Sequence, residues 1–243
     1  MPNHITTVCT VTGEHADVAA FVAAHIHERE EAGRKHTVFD FDTIIPTPQS
    51  IKDTERPMLG VPPPSPGVPE SSCCGDAQVE MYAQCLLNYR GAHHPYTDYA
   101  WLPAGVKTWQ QLRAYLDSTS PSAQFWGKRM LLAAADTGYP NWYEWNIANW
   151  GTKWGAYQYK ERARMPGSFV FEFQTAWAFP VPIFEKLASM YPTLVFSVVA
   201  IDEGGPEHEG TFQHGLCAFE RKPDSNERYK LVYGEYPPAD EED

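Results

Sequence analysis

At 243 residues the chain can be one large domain or a smaller domain carrying a big insertion, and 43% hydrophobic with 14% aromatic residues excludes wholesale disorder. A formal net charge of −12 opposes a nucleic-acid binder, because phosphate contacts need lysine and arginine. No apolar run approaches the about 18 residues of a membrane span. The opening Met1-Pro2-Asn3-His4 lacks the basic and apolar stretches of a secretory leader, so a cytoplasmic protein without membrane contact is expected. The five cysteines are irregularly spaced, and vicinal Cys73-Cys74 is not a zinc pattern; reduced thiols are expected.

The alternating, β-branched run Ile5 to Val11 predicts a strand. Thr12 then caps a predicted helix from Glu14 to Glu31, with Val18, Phe21, Val22 and His25 or Ile26 on one apolar face and Gly33 at C′. Thr37 to Asp42 reads as a second strand. Eight prolines between Pro46 and Pro69 mark a loop. Asp76–Tyr89, Thr108–Asp117 and Pro121–Ala135 read as helices, with Thr108 and Ser120 as caps.

The segment Asn141 to Trp154 carries four of the eight tryptophans in an order that reads helix, stop, strand. Asn141 caps the helix, with Glu144 three residues on, and Gly151 ends it. Strands are predicted over Thr152–Tyr159 and Phe169–Trp177, the latter with Phe169, Phe171, Phe173, Thr175 and Trp177 on one face. Pro180 and Pro182 open a helix to Met190, and Leu194–Ile201 reads as a central strand. Gly215–Lys222 and Arg228–Tyr233 are expected as edge strands.

Strand–helix–strand twice over predicts an α+β fold, a ferredoxin-like β-α-β-β-α-β sheet. The expected division is a first β-α-β part at 1–49, a helical insertion at 50–150, and a second part with extra strands at 151–243. Segments 5–11, 37–42, 169–177 and 194–201 are expected in one sheet.

Met1-Pro2-Asn3-His4, the Phe39-to-Pro48 run, Asn149-Trp150-Gly151-Thr152-Lys153-Trp154, Thr175-Ala176-Trp177, Pro180-Val181-Pro182 and Asp202-Glu203-Gly204 together resemble the YubB-type family of plasmid and bacteriophage proteins. The resemblance covers both ends of the chain in order and the helical middle more loosely. It implies a ferredoxin-like C-terminal domain and a mobile-element protein acting inside a bacterial cell. It carries no catalytic residues with it.

Trp145, Asn149, Trp150, Thr152, Lys153 and Trp154, with Trp177 from the later strand, are the candidate ligand- or partner-binding residues. Indole faces can stack on a planar ligand while Asn149 and Lys153 supply directed polar contacts; the alternative is a helix-to-strand corner stapled by tryptophans. Alternation puts Asp40 and Asp42 on one strand face, so that with Asp202 and Glu203 they form a weaker carboxylate candidate. His25 and His27, two apart on the predicted helix, diverge, and His93-His94 has no ligand set. The sequence contains no nucleophile elbow, Walker or dinucleotide motif. No catalytic residue, metal or cofactor is therefore expected. A non-enzymatic protein binding a host protein is the expected function; a small-ligand binder or enzyme using residues 145–154 is the alternative. A single-strand nucleic-acid binder would need Phe171, Phe173, Tyr157 and Tyr159 as a stacking face, with Lys153, Lys160, Arg162 and Arg164 as a basic strip.

Overall fold

The computed structural model describes residues 3–31, 33–54, 105–118, 129, 132–134, 136–139 and 141–237. In chain order it contains β1 (His4–Thr12), α1 (His15–His25), β2 (Ile26–Glu31), β3 (Arg34–Phe39) and a 3₁₀ turn at Phe41–Thr43. After these come α2 (Gln49–Lys52), α3 (Trp109–Ser118), α4 (Trp142–Trp150), β4 (Tyr157–Met165) and β5 (Ser168–Ala176). The chain ends with α5 (Val181–Met190), β6 (Val195–Asp202), β7 (Glu207–Gln213), β8 (Leu216–Lys222) and α6 (Asn226–Tyr233). The predicted helix Asp76–Tyr89, all of Pro121–Ala135 except residues 129 and 132–134, Cys73-Cys74 and His93-His94 lie outside the described residues.

The chain divides into two compact units, one of residues 1–46 and 146–243 and one of residues 47–145. The first holds a six-stranded antiparallel sheet in the order β4-β5-β1-β6-β7-β8. Its first four strands, joined as β1-α1-β4-β5-α5-β6, form the ferredoxin-like plait, and the fold is α+β. β1 is central because its β-branched residues pair on both sides, Cys9 with Phe171 of β5 and with Val198 of β6.

Alternation along β5 places Phe169, Phe171, Phe173 and Thr175 on one face, all fully buried. Phe21 of α1 and Phe184 and Leu187 of α5 are buried with them. Ring contacts such as Phe21–Phe171 at 6.2 Å and Phe173–Phe184 at 6.2 Å make this an aromatic core. On the opposite face Val8 and Ile201 form a smaller cluster with Val232 of α6. Each buried phenylalanine contributes roughly 2–3 kcal/mol of apolar burial.

Several expected boundaries fall elsewhere. The helix predicted to Glu31 stops at His25, and residues 26–39 form a hairpin whose turn holds Gly33 at φ +76°. Glu30 and Lys35 are register partners across it, and the Lys35 ammonium lies 3.9 Å from the Glu28 carboxylate, an opposite-charge arrangement that favours the pairing. Glu14, not Thr12, is the N-cap of α1, without a side-chain cap bond. Segment 37–42 does not join segments 5–11, 169–177 and 194–201: among the described residues β3 pairs with β2 alone, and the second strand of the plait is β4. β4 starts at Tyr157, not Thr152, because the preceding residues are bent into a corner.

At the C-terminus, 228–233 is helix α6, not strand. Ser225 accepts from the Arg228 N–H at 3.5 Å, and Gly234 closes the helix at φ +84°. β7 was not expected from its charged sequence; it pairs with β6 and buries Phe212.

The second unit, as described, is helical. Thr108 caps α3, its hydroxyl accepting from the Gln111 N–H at 3.3 Å. The Trp142 N–H donates to the Thr54 hydroxyl at 2.9 Å, and Asn141 caps α4 by accepting from the Glu144 N–H at 3.0 Å. No helix among the described residues is long and apolar enough to cross a membrane.

Candidate functional site

Gly151 stops α4 by turning left-handed at φ +77°, its N–H reaching the carbonyls of Asn146 at 3.1 Å and Ile147 at 3.2 Å. Three side chains then fix the corner. The Trp150 indole N–H donates to the Ile45 carbonyl at 3.0 Å, and its ring stands edge-on to Phe41 at 5.8 Å. The Thr152 hydroxyl, 2% exposed, donates to the Ala176 carbonyl at 2.7 Å. The Asn146 amide donates to the Lys153 carbonyl at 3.0 Å.

Ala at position 151 would be strained by its φ, and its Cβ would meet Pro182 Cδ at 2.8 Å. Gly151→Ala is expected to cost about 2 kcal/mol from the two terms together. A urea melt checks this; an unchanged midpoint would show that the corner relaxes freely.

The corner aims Lys153 between two indoles. Its ammonium lies 4.6 Å from the ring centroid of Trp154 and 4.6 Å from that of Trp177. Burial lowers the Lys153 pKa from its ordinary value. Trp177, at the end of β5, has φ +74°, a conformation costly for a bulky side chain, and its N–H donates to the Asn3 carbonyl at 3.1 Å. Trp154 stands 6.4 Å from Tyr157, whose hydroxyl lies 2.5 Å from His4 Nδ1. Burial, with a smaller contribution from Glu203, pushes the Tyr157 pKa up to about 12.

Tyr157 also lines a cleft of about 660 Å³ between β3 and β4, with Arg29, His36, Val38, Tyr159 and Lys160. Burial raises the Tyr159 pKa to about 12 as well, and its hydroxyl has no hydrogen-bond partner among the described residues.

Of the candidates taken from the sequence, Lys153, Trp154 and Trp177 converge, and Trp150 and Thr152 support them from beneath. Asn149 is half-buried on α4. Trp145 is 5% exposed in the second unit, where its backbone N–H donates to the Asn141 carbonyl at 3.2 Å. His4 was missed as a site residue, and Tyr157 was named only for the stacking face; the chain reversal that joins them is not written in local spacing.

The carboxylate candidate is corrected. Asp40 and Asp42 do not alternate along a strand, because β3 ends at Phe39 and Asp40 caps the 3₁₀ turn, accepting from the Asp42 N–H at 3.0 Å. Arg29 at 2.6 Å and His27 at 3.2 Å also bind Asp40. Asp202 instead accepts from the Asn3 amide at 2.8 Å and the Gly204 N–H at 2.8 Å, while Glu203 is exposed. Among the described residues, no three or more His, Cys, Asp or Glu side chains gather to hold a metal.

The stacking face is corrected too. Phe171 and Phe173 are fully buried under the helices. Arg162 pairs with Glu172 at 2.6 Å and donates to the Leu231 and Val232 carbonyls, and Arg164 pairs with Glu161 at 2.7 Å. The expected basic strip is therefore partly neutralised.

No curated protein matches this chain. The structure is similar to the crystal structure of a protein api92 from Yersinia pseudotuberculosis, at 12% identity and a TM-score of 0.45, over 93% of this chain and 99% of that one. Residues 153–222, from Lys153 through β8, are similar to the family model described as a ferredoxin-like domain in Api92-like protein.

Proposed function

We propose that the chain is a non-enzymatic binding protein whose ligand is another protein, engaged through Lys153, Trp154, Trp177 and the adjoining Tyr157. The observation that carries this reading is the Lys153 ammonium held between two half-exposed indoles, one of them kept at φ +74°. Backbone strain of this kind persists where the surroundings enforce it, commonly at ligand clamps. Tryptophan and tyrosine beside a cation are the residues that dominate interface cores. The ammonium occupies the space over both rings, so the surface offers ring edges and a cation in place of an empty slot for a planar molecule.

A plasmid or bacteriophage origin, a host protein as the partner inside the bacterial cell, and residues 50–150 as a helical insertion belong to this proposal. The first two are supported by the resemblance of Asn149-Trp150-Gly151-Thr152-Lys153-Trp154 and its companion motifs.

A second reading, a small-ligand binder or enzyme, is favoured by the direction of the Lys153 shift, since burial makes this amine easier to deprotonate than a free lysine and a neutral amine can attack a carbonyl. Capture on immobilised protein from a bacterial host lysate separates the two. Wild type and the exposed-site control Lys186→Ala should retain one stoichiometric protein that Trp154→Ala loses. A tightly bound small molecule with no retained protein would reverse the order.

A further inference from the structure

We propose that β8 is a strand-accepting edge that pairs antiparallel with β8 of a second copy of this chain. The two edges of the six-stranded sheet are built differently. β4 is irregular, with register shifts between Tyr157 and Lys160 and between Glu161 and Ala163, and with Gln158 at φ +52°. It also carries Lys160, Arg162 and Arg164. Bulges and charged side chains are the means by which sheets block unwanted pairing.

β8 has no bulge, and its charged residues, Glu220, Arg221 and Lys222, are confined to its C-terminal end. Its seven residues pair with β7 in unbroken register, Leu216 is 54% exposed, and Cys217 and Ala218 are exposed. Among the described residues no strand lies on its outer side.

The turn decides which backbone groups face outward. Residues 214–215 alone separate Gln213 from its partner Leu216, so this pair must be hydrogen-bonded across the hairpin. Alternation makes Ala218, Glu220 and Lys222 bond inward to β7 in the same way. Cys217, Phe219 and Arg221 therefore point their N–H and C=O groups to the free edge.

These three residues are self-complementary about a two-fold axis at Phe219. Phe219 then opposes the second copy's Phe219, and Cys217 and Arg221 oppose each other twice, giving about six backbone hydrogen bonds. In this register Glu220 faces Ala218 and Lys222 faces Leu216, so no like charges meet. A slip of two residues in either direction leaves one outward residue of each copy unpaired. One of those slips also places Glu220 against Glu220, which is destabilising. Phe219 is preset for the central position, its ring stacked on Phe179 at 4.3 Å and on His208 at 5.1 Å.

This pairing is independent of the Trp154 junction. A strand pair is smaller than a standard interface and the net charge of −12 per copy opposes it, so it is sought up to about 200 µM protein at about 0.15 M salt. Sedimentation equilibrium should show a mass rising from 27.4 kDa toward about twice that value with concentration. Cys217→Pro, which removes one outward N–H at an exposed position, should remain monomeric with an unchanged circular dichroism spectrum.

Independently, Arg221→Cys should form a covalent dimer on oxidation, because opposed residues of a hydrogen-bonded pair lie about 5.5 Å apart at Cα, within disulfide reach. Adding Cys217→Ser should abolish that bond. A wild-type mass that stays monomeric throughout, a doubling that Cys217→Pro does not change, or an Arg221→Cys protein that stays uncrosslinked would each overturn the proposal.

Discussion

Trp150→Ala should lower stability by about 3–5 kcal/mol, the loss expected when a large aromatic leaves a closed core site. The indole is 9% exposed, meets Phe41 edge-on, and satisfies the Ile45 carbonyl through its N–H. Truncation therefore removes apolar burial, opens a cavity beside Phe41 and strips the carbonyl of its partner. Trp150→Phe separates these contributions, since it keeps most of the volume and loses the hydrogen bond; it should recover more than half of the stability. Trp154→Ala, at a half-exposed ring, should cost about 1 kcal/mol. Urea melts of the three variants check the order. Equal midpoints for Trp150→Ala and wild type would place the indole in solvent and overturn the corner as described.

The contrast between these two tryptophans shows where local sequence is informative. Asn141, Glu144 and Gly151 are cap and stop residues whose effect is confined to a turn of helix, and α4 follows them closely. The alternating phenylalanines of β5 and the apolar run of β6 were legible for the same reason, because burial repeats with the strand period. What separates Trp150 from Trp154 is tertiary. Ile45 and Phe41 come from a distant segment, and Trp177 reaches Lys153 from the far end of β5.

The hairpin β2–β3 was misread because His27-Glu28-Arg29-Glu30-Glu31 is as compatible with a helix surface as with a strand. The pairing partner, Arg34 to Phe39, lies across the turn, where Lys35 meets Glu28 and faces Glu30. In α6 the signal was present and missed: Ser225 and Gly234 bracket the segment as cap and stop. The stacking platform failed on a general ground, since aromatics on a strand mark a face without saying whether a helix covers it.

Lowering the pH from 7 toward 4 should cost about 3 kcal/mol of stability through His25 alone, well before acid unfolding of carboxylates is complete. The His25 ring is 2% exposed, with Nδ1 2.7 Å from the Thr43 hydroxyl and Nε2 2.8 Å from the Tyr191 hydroxyl. Two hydroxyls satisfy a neutral imidazole, one as donor and one as acceptor, and neither neutralises a charge. Burial is the main cause that lowers its pKa from 6.5 to about 4; His27 adds to the lowering, while Asp40 opposes it.

Between those two values the unfolded chain binds a proton that the native chain refuses. The stabilisation is therefore complete above about pH 6.5 and is lost as the pH falls toward 4. Urea melts across this window should show wild type losing stability faster than His25→Gln, which retains a polar side chain but cannot be protonated. The two should differ most at low pH in the sense that the variant's curve is flatter. Parallel curves between pH 7 and 4.5 would show that His25 accepts its proton in the folded state, and that the Thr43 and Tyr191 hydroxyls leave room for the charge.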